Sequence, residues 1–422
     1  MAFQAVRHAC EKGLNEIEKD DDAARSWLKR LPLPENIRLP RTSDAEFFYD
    51  MFTPRQLAGL ALIKHSIDRE AAGVVRDLLL LAWSASVAKL NRTFLSAKGR
   101  AESRGGSSIF SIYRYKLASQ CVELPIWDTF HGRYRNVLAA KEEVLRLAYY
   151  RKLRSGASAQ LNSAENFKVL AYDAGTLDEA LKPGSVDYIF TDPPYGGFIT
   201  YLDLSILWNH GLGFQVSDGA RESETIVGGE REHSQEHYKK SLACSIKTGL
   251  QLLRPDRWFS VVFQHWDISY FAAILETASE CGAELRAAIT QTGDVIWSMH
   301  KKKNSASVLA GEMILTFFKP KRPPRPLPAP KDRSGHDPAQ VLSEVFDVCL
   351  ANGMKSFTSE ALFNRLIVEL WRRRELACLT LDRDEFSGRL EQRGWTYNPK
   401  THLWSRGGNK ADGPEELALI GA

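Results

Sequence analysis

Asp192, Pro193, Pro194 and Tyr195 join a carboxylate, two prolines and an aromatic ring in four consecutive residues, and Gly196 and Gly197 follow directly. The carboxylate and the Pro193 carbonyl are two hydrogen-bond acceptors on a stretch that cannot bend easily, because proline fixes φ. Tyr195 offers a π-face on which a flat ring can stack. The glycines let the backbone approach another group closely. Ahead of them runs Val186-Asp187-Tyr188-Ile189-Phe190, a short apolar stretch that reads as a buried strand. The group then sits at the carboxyl end of a strand, where open α/β sheets bind ligands. The plainer alternative is a strand-ending turn, in which Asp and Pro are both common.

A strand ending in Asp-Pro-Pro-Tyr resembles motif IV of the DNA methyltransferases that methylate exocyclic amino groups, adenine N6 or cytosine N4. The lone pair of such an amine is delocalised into its ring. The amine becomes nucleophilic when acceptors hold its two hydrogens out of the ring plane, and the Asp192 carboxylate and Pro193 carbonyl can be those acceptors. The stretch 52–320 is similar to the C-terminal part of the larger bacterial members. It carries Phe52-Thr53-Pro54-Arg55-Gln56-Leu57, Lys89-Leu90-Asn91-Arg92, Tyr201-Leu202-Asp203-Leu204 with Trp208, and Leu253-Arg254-Pro255-Asp256-Arg257-Trp258.

The resemblance implies in-line methyl transfer from S-adenosylmethionine to the amine of a flipped base, most simply adenine N6, on DNA. Asp192, Pro193, Pro194 and Tyr195 are then the catalytic group, and Asp192 and Pro193 also border the cofactor. Asp173 stands where an acceptor could meet the adenine amino group of the cofactor; the alternative is a helix N-cap. Tyr195, Gly196 and Gly197 face the base. Gln264 and His265, at the carboxyl end of the strand 258–263, line the same pocket if the sheet order brings that strand end beside the motif. Lys301, Lys302 and Lys303 are successive positive charges suited to the DNA backbone.

One family feature is missing. These enzymes hold the amino-acid end of S-adenosylmethionine with a Gly-rich turn after a first strand, and no such turn occurs here. Ser107-Ser108-Ile109-Phe110 lacks a preceding strand, and Lys182-Pro183-Gly184 is a plain turn. Three explanations stand: a protein subunit supplies the Gly-rich half of the cofactor site, the chain binds cofactor in a degenerate way, or it is an inactive relative that still binds DNA. The last makes it a non-catalytic DNA-binding or assembly subunit of a DNA modification or defence complex. An RNA methyltransferase acting on guanine N2 is a further alternative, since those enzymes also carry Asp-Pro-Pro-Tyr-Gly.

Composition narrows the field. The six cysteines are scattered with no C-x-x-C pair, which argues against a zinc site and a disulfide framework. No uninterrupted apolar run reaches membrane-spanning length, so no membrane association is expected. The N-terminus lacks a signal pattern, and cytoplasmic residence is the expectation. The net charge of +4 permits nucleic-acid binding without requiring it.

The elements that must position the motif are legible in part. Residues 1–50 form an N-terminal extension. A helical module follows over 51–155, with helices from Thr53-Pro54 and over 72–95. The catalytic region, 156–322, alternates strands (167–172, 186–190, 258–263, 285–290, 313–318) with helices (from Tyr201, 236–253, 268–281). Such alternation implies a parallel sheet, and its last two strands fit the closing hairpin of a methyltransferase sheet. Residues 323–336 are a Pro-rich linker, 337–410 a small separate unit with winged-helix-like helices and hairpin, and 411–422 a tail. The expected fold is therefore α/β: a partial Rossmann-like methyltransferase sheet, an N-terminal helical module and a C-terminal winged-helix-like domain.

Overall fold

The computed structural model describes residues 1–70, 73–93, 109, 113–118, 121–147, 152–154, 156, 165–291, 311–323, 337–350 and 355–406. The chain forms two compact units, one of Met1–Val169, Thr200–Glu224 and Gly228–Glu232, the other of Leu170–Ile199, Thr225–Val227 and His233–Ala422.

The first unit is helical. Its helices are α1 (Ala2–Ile17), α2 (Asp21–Leu28), α3 (Pro54–Asp68), α4 (Val74–Val87), α5 (Ile126–Arg146), α6 (Tyr201–Leu212) and the short α7 (Asp218–Glu222). α1 and α2 pack against α3, so the first fifty residues contribute to this unit's core. α3 starts where Thr53-Pro54 indicates. Thr53 Oγ1 accepts the Gln56 N–H at 3.2 Å while Gln56 Oε1 accepts that of Thr53 at 3.0 Å, and Pro54 stands at the first helical position. The apolar run expected to stay helical to residue 95 stops at Val87. Asn91 donates to the Val87 carbonyl at 2.6 Å and accepts the Thr93 N–H at 2.8 Å, which turns the chain away. α6 is held by Tyr115, whose hydroxyl donates to the Leu204 carbonyl at 2.6 Å and accepts from Leu207 at 3.1 Å.

The second unit is α/β and Rossmann-like. Strands β1 (Val186–Thr191), β2 (Leu253–Phe263), β3 (Glu284–Gln291) and β4 (Glu312–Lys319) form a sheet in the order β1-β2-β4-β3. Only β1 and β2 are parallel; β4 runs antiparallel to both neighbours, so β3 and β4 make the expected closing pair and the sheet is mixed. α8 (Gln235–Leu252) and α9 (Ile268–Glu280) connect the strands. Phe259, Val261 and Phe263 share a core with Leu242, Ile246, Phe271, Ile274, Leu315 and Phe317. On the other side of the sheet Tyr188, Phe190, Trp258 and Ile289 remain exposed.

One expected strand is absent. Residues 167–172 pair with no strand of the sheet, and Val169 and Tyr172 are exposed. No strand among the described residues lies beyond β1, so 167–172 finds no ladder to join.

The region beyond the Pro-rich stretch runs α10 (Pro338–Leu350), β5 (Ser356–Thr358), α11 (Ser359–Arg373), α12 (Arg383–Gln392), β6 (Trp395–Asn398) and β7 (Leu403–Arg406), with the small sheet ordered β5-β7-β6. Three helices stand with a small antiparallel three-stranded sheet. Thr358 and Asp382 cap α11 and α12 through their side-chain oxygens. The sequence sets this region apart; in the structure its core is continuous with that of the four-stranded sheet. No helix among the described residues is long and apolar enough to cross a membrane.

Candidate active site

The motif begins where β1 ends. Its parallel register with β2 pairs Thr191 with Val261, so the loop after β1 and the segment after Phe263 leave the sheet at the same end. Asp192 is exposed, and its Oδ1 accepts a hydrogen bond from the Tyr195 hydroxyl at 2.7 Å. The Tyr195 ring meets Phe263 edge-on, with centroids 5.5 Å apart.

Tyr238 anchors the loop from below. It is fully buried in the first turn of α8, which starts at the Ser234 cap, and its hydroxyl donates to the Pro194 carbonyl at 2.5 Å. Burial pushes its pKa up, so it remains a donor. The Pro193 carbonyl takes no hydrogen bond among the described residues. One proline oxygen is thus spent on holding the loop and the other is available.

Gly196 has φ +63°, a left-handed conformation that glycine adopts freely. A Cβ there would lie 3.0 Å from His265 Nε2, and one on Gly197 would lie 2.7 Å from the Val227 carbonyl oxygen. The Val227 N–H donates to the Gly196 carbonyl at 3.3 Å. The loop is therefore hemmed in by 225–227 on one side and His265 on the other.

His265 Nδ1 accepts the Asp267 N–H at 2.9 Å, which leaves the ring hydrogen on Nε2 in the neutral form. Burial pulls its pKa down to about 4, against an opposing pull from Asp267, so the ring is neutral near pH 7. Its ring packs on Phe198 at 5.3 Å and Tyr270 at 4.6 Å.

The expected residues thus divide. Asp192, Pro193, Pro194, Tyr195, Gly196, Gly197 and His265 come together at one end of the sheet. Gln264 is buried beside them in sequence. Asp173 caps the turn Ala174–Glu179, accepting the Gly175 N–H at 2.7 Å, and no hydrogen bond among the described residues joins it to the motif loop. That turn is tied to α8 by Thr248, which donates to the Gly175 carbonyl at 2.9 Å. Lys301, Lys302 and Lys303 lie outside the described residues. Tyr238, Phe198 and Val227 were not legible as site residues; they reach the loop through tertiary contact, and nothing in their spacing marks them.

The residues at the loop do not make up a complete S-adenosylmethionine site. Hydrogen-bond acceptors are present at the Asp192 carboxylate and the Pro193 carbonyl. A backbone cradle for the amino-acid end needs a strand and Gly-rich turn beside β1, and no described residue supplies one.

No family model matches this chain, and no curated protein sequence matches it. It is similar to crystal structures of a presumptive DNA modification methylase from Thermus thermophilus. A selenomethionine form aligns at 16% identity and TM-score 0.20, covering 41% of this chain and 61% of that one. The complex of that protein with S-adenosyl-L-methionine aligns at 16% identity and TM-score 0.21 with the same coverage. A third structure aligns at 14% identity and TM-score 0.22, covering 52% of this chain and 93% of that one. The chain spans about three-fifths of the length of the first two. Likeness at this level carries no information about activity.

Proposed function

We propose that this chain is the target-amine half of an S-adenosylmethionine-dependent DNA methyltransferase acting on the exocyclic amine of a flipped base, adenine N6 in the first instance. The observation that carries the reading is the loop at the end of β1: an exposed Asp192 carboxylate, a Pro193 carbonyl with no partner among the described residues, and the Tyr195 ring beside them.

The chain's own residues divide the work. Asp192 and the Pro193 carbonyl accept the two amine hydrogens and draw the lone pair out of conjugation. Tyr195 swings from Asp192 to stack on the base. Tyr238 holds the Pro194 carbonyl and so fixes where the Pro193 carbonyl points. Positioning of this kind accounts for much of the barrier lowering in well-oriented reactions. S-adenosylmethionine, when bound, supplies a methyl group already activated by the sulfonium charge. Asp173, Gln264 and Lys301-Lys302-Lys303 take the cofactor, base and DNA-backbone roles in the same reading.

The alternative of a non-catalytic DNA-binding subunit is favoured by one observation, the edge of β1 without a strand partner among the described residues. Transfer of labelled methyl groups to duplex DNA separates the two readings. The chain is assayed alone and with companion polypeptides that bear a strand and Gly-rich turn, each time beside Asp192→Ala. Label incorporation that needs Asp192 supports the enzyme. DNA binding without incorporation under every condition leaves the subunit reading.

A further inference from the structure

We propose that the C-terminal module is the positioning element of the loop Asp192 to Gly197, and that its helix α12 is not a nucleic-acid reading helix. The inference rests on the reading of that loop as the catalytic one.

A series of touching rings links the two. Tyr195 meets Phe263 at 5.5 Å, Phe263 meets Phe271 at 5.1 Å, Phe271 meets Phe363 of α11 at 6.3 Å, and Phe363 meets Phe386 of α12 at 6.0 Å. All four phenylalanines are fully buried. Trp266 is inserted into the far end, 4.9 Å from Phe363 and 5.4 Å from Phe386. Its neighbour His265 abuts Gly196. Asn364 of α11 donates to Thr290 Oγ1 of β3 at 2.9 Å, a buried polar tie between module and sheet. Close-packed interiors transmit displacement, so the position of α12 bears on that of Tyr195.

The charges of α12 agree with an inward role. The helix holds two arginines, Arg383 and Arg389, against three carboxylates, Asp384, Glu385 and Glu391. Arg389 is spent on Glu385 at 2.7 and 3.0 Å and on the Ala339 carbonyl at 3.1 Å. Arg393, just past the helix, is spent on Asp347 at 2.7 Å and Ser343 Oγ at 2.6 Å. A helix entering a DNA groove needs cations aimed at phosphates and base edges. Here the helix turns Phe386 to the core and commits these two arginines within the module.

Amide hydrogen exchange on the full chain tests the positioning, comparing wild type with Phe386→Ala, Phe386→Leu and the milder Asn364→Ala. In Phe386→Ala, residues 192–198 and 263–268 should exchange about tenfold faster, the factor that corresponds to the loss of about 1.4 kcal/mol of aromatic contact. Phe386→Leu should recover most of the protection, and α3 should be unchanged in every variant. If Phe386→Ala does not fold, Asn364→Ala gives the same comparison with a smaller factor. Faster exchange confined to α11 and α12, with 192–198 as in wild type, overturns the proposal. A second measurement concerns DNA. The double variant Arg389→Gln, Arg393→Gln should keep the wild-type salt dependence of duplex binding; a slope lower by about one per arginine makes the module a DNA-binding head and overturns the proposal. Failure of wild type to bind DNA at all removes the DNA reading of the protein and leaves the exchange comparison standing.

Discussion

The Tyr195 hydroxyl donates to Asp192 Oδ1 at 2.7 Å, so two residues of one four-residue motif hold each other. The bond takes one lone pair of Oδ1 and leaves the rest of the carboxylate, Oδ2 included, able to accept. Tyr195 therefore has two roles that pull apart: its ring is wanted for stacking, while its hydroxyl competes for Oδ1 of the carboxylate.

The two roles separate by substitution. Tyr195→Phe keeps the ring and frees Asp192, so methyl transfer should match or exceed wild type. Tyr195→Ala loses stacking worth about 1–3 kcal/mol, and Asp192→Ala should abolish transfer. Initial rates with labelled cofactor, measured under whatever condition gives wild-type activity, make the comparison. A Tyr195→Phe variant as impaired as Tyr195→Ala would mean that the hydroxyl, and not the ring, is what the reaction needs.

Tyr238 gives a second prediction. Its hydroxyl bond to the Pro194 carbonyl ties α8 to the backbone of the motif. Tyr238→Phe keeps the packing on Tyr270 at 4.7 Å and removes that bond together with the hydroxyl's contact with the Gly196 backbone. The cost in stability should be about 0.5–1.5 kcal/mol, readable as a shift in denaturant midpoint. The loss of methyl transfer should be larger than this loss implies, because the Pro193 carbonyl goes out of line. Activity that falls only in proportion to the folded fraction would reduce Tyr238 to a core residue.

Much of this arrangement was legible in the sequence, and the reason is local. The strand before Asp192, the helix start at Thr53-Pro54 and the hairpin at the end of the C-terminal unit are all set by neighbours a few residues apart. What was not legible depends on partners far along the chain. Residues 167–172 have the composition of a strand, yet a strand needs a ladder, and none borders β1 among the described residues. The apolar helix after Ala72 ends at Val87 because Asn91 bonds back to it, a side-chain choice that hydrophobic periodicity does not reveal. The C-terminal region looks separate because a proline run precedes it, while Phe363 and Phe386 find Trp266 only once the fold is formed. At the site itself, the motif was readable from its residue types, and Tyr238 was not.

The two glycines after the motif should tolerate nothing larger. Gly196→Ala places a side chain at φ +63°, which costs roughly 1–2 kcal/mol in the backbone, and crowds His265 Nε2 at 3.0 Å. Gly197→Ala meets a backbone oxygen at 2.7 Å, which cannot move without displacing 225–227. Both variants should unfold at lower denaturant, and Gly197→Ala should be the worse because its obstacle is backbone. Gly184 serves as the control: it also has positive φ, at +64°, but no atom stands within 4 Å of its Cβ position. Gly184→Ala should therefore show the backbone cost alone. If Gly196→Ala proves no more costly than Gly184→Ala, the contact with His265 is soft and the ring is free to shift.

His265 and Asp203 should tilt stability with pH in opposite directions, each in its own unit. Burial lowers His265 from 6.5 to about 4, so its protonation favours the unfolded chain. Its contribution is intact above pH 6.5 and is lost as pH falls toward 4. Asp203 is buried in α6, where burial first and then Glu224 and Glu230 raise its pKa from 3.8 to about 6, against Arg221. Its contribution is intact below pH 3.8 and is lost as pH rises through 6. Each shift corresponds to a change on the order of 3 kcal/mol. Denaturation followed between about pH 4 and pH 7 should show it. His265→Phe should remove the part of stability that grows with pH in that window, and Asp203→Asn the part that shrinks. Tryptophan fluorescence at Trp266 reports the sheet unit and at Trp83 the helical unit, if the remaining tryptophans are replaced by Phe. The Trp266 transition should then move to higher denaturant as pH rises, and the Trp83 transition to lower. Transitions that move together in both reporters would mean that neither group titrates where its surroundings place it.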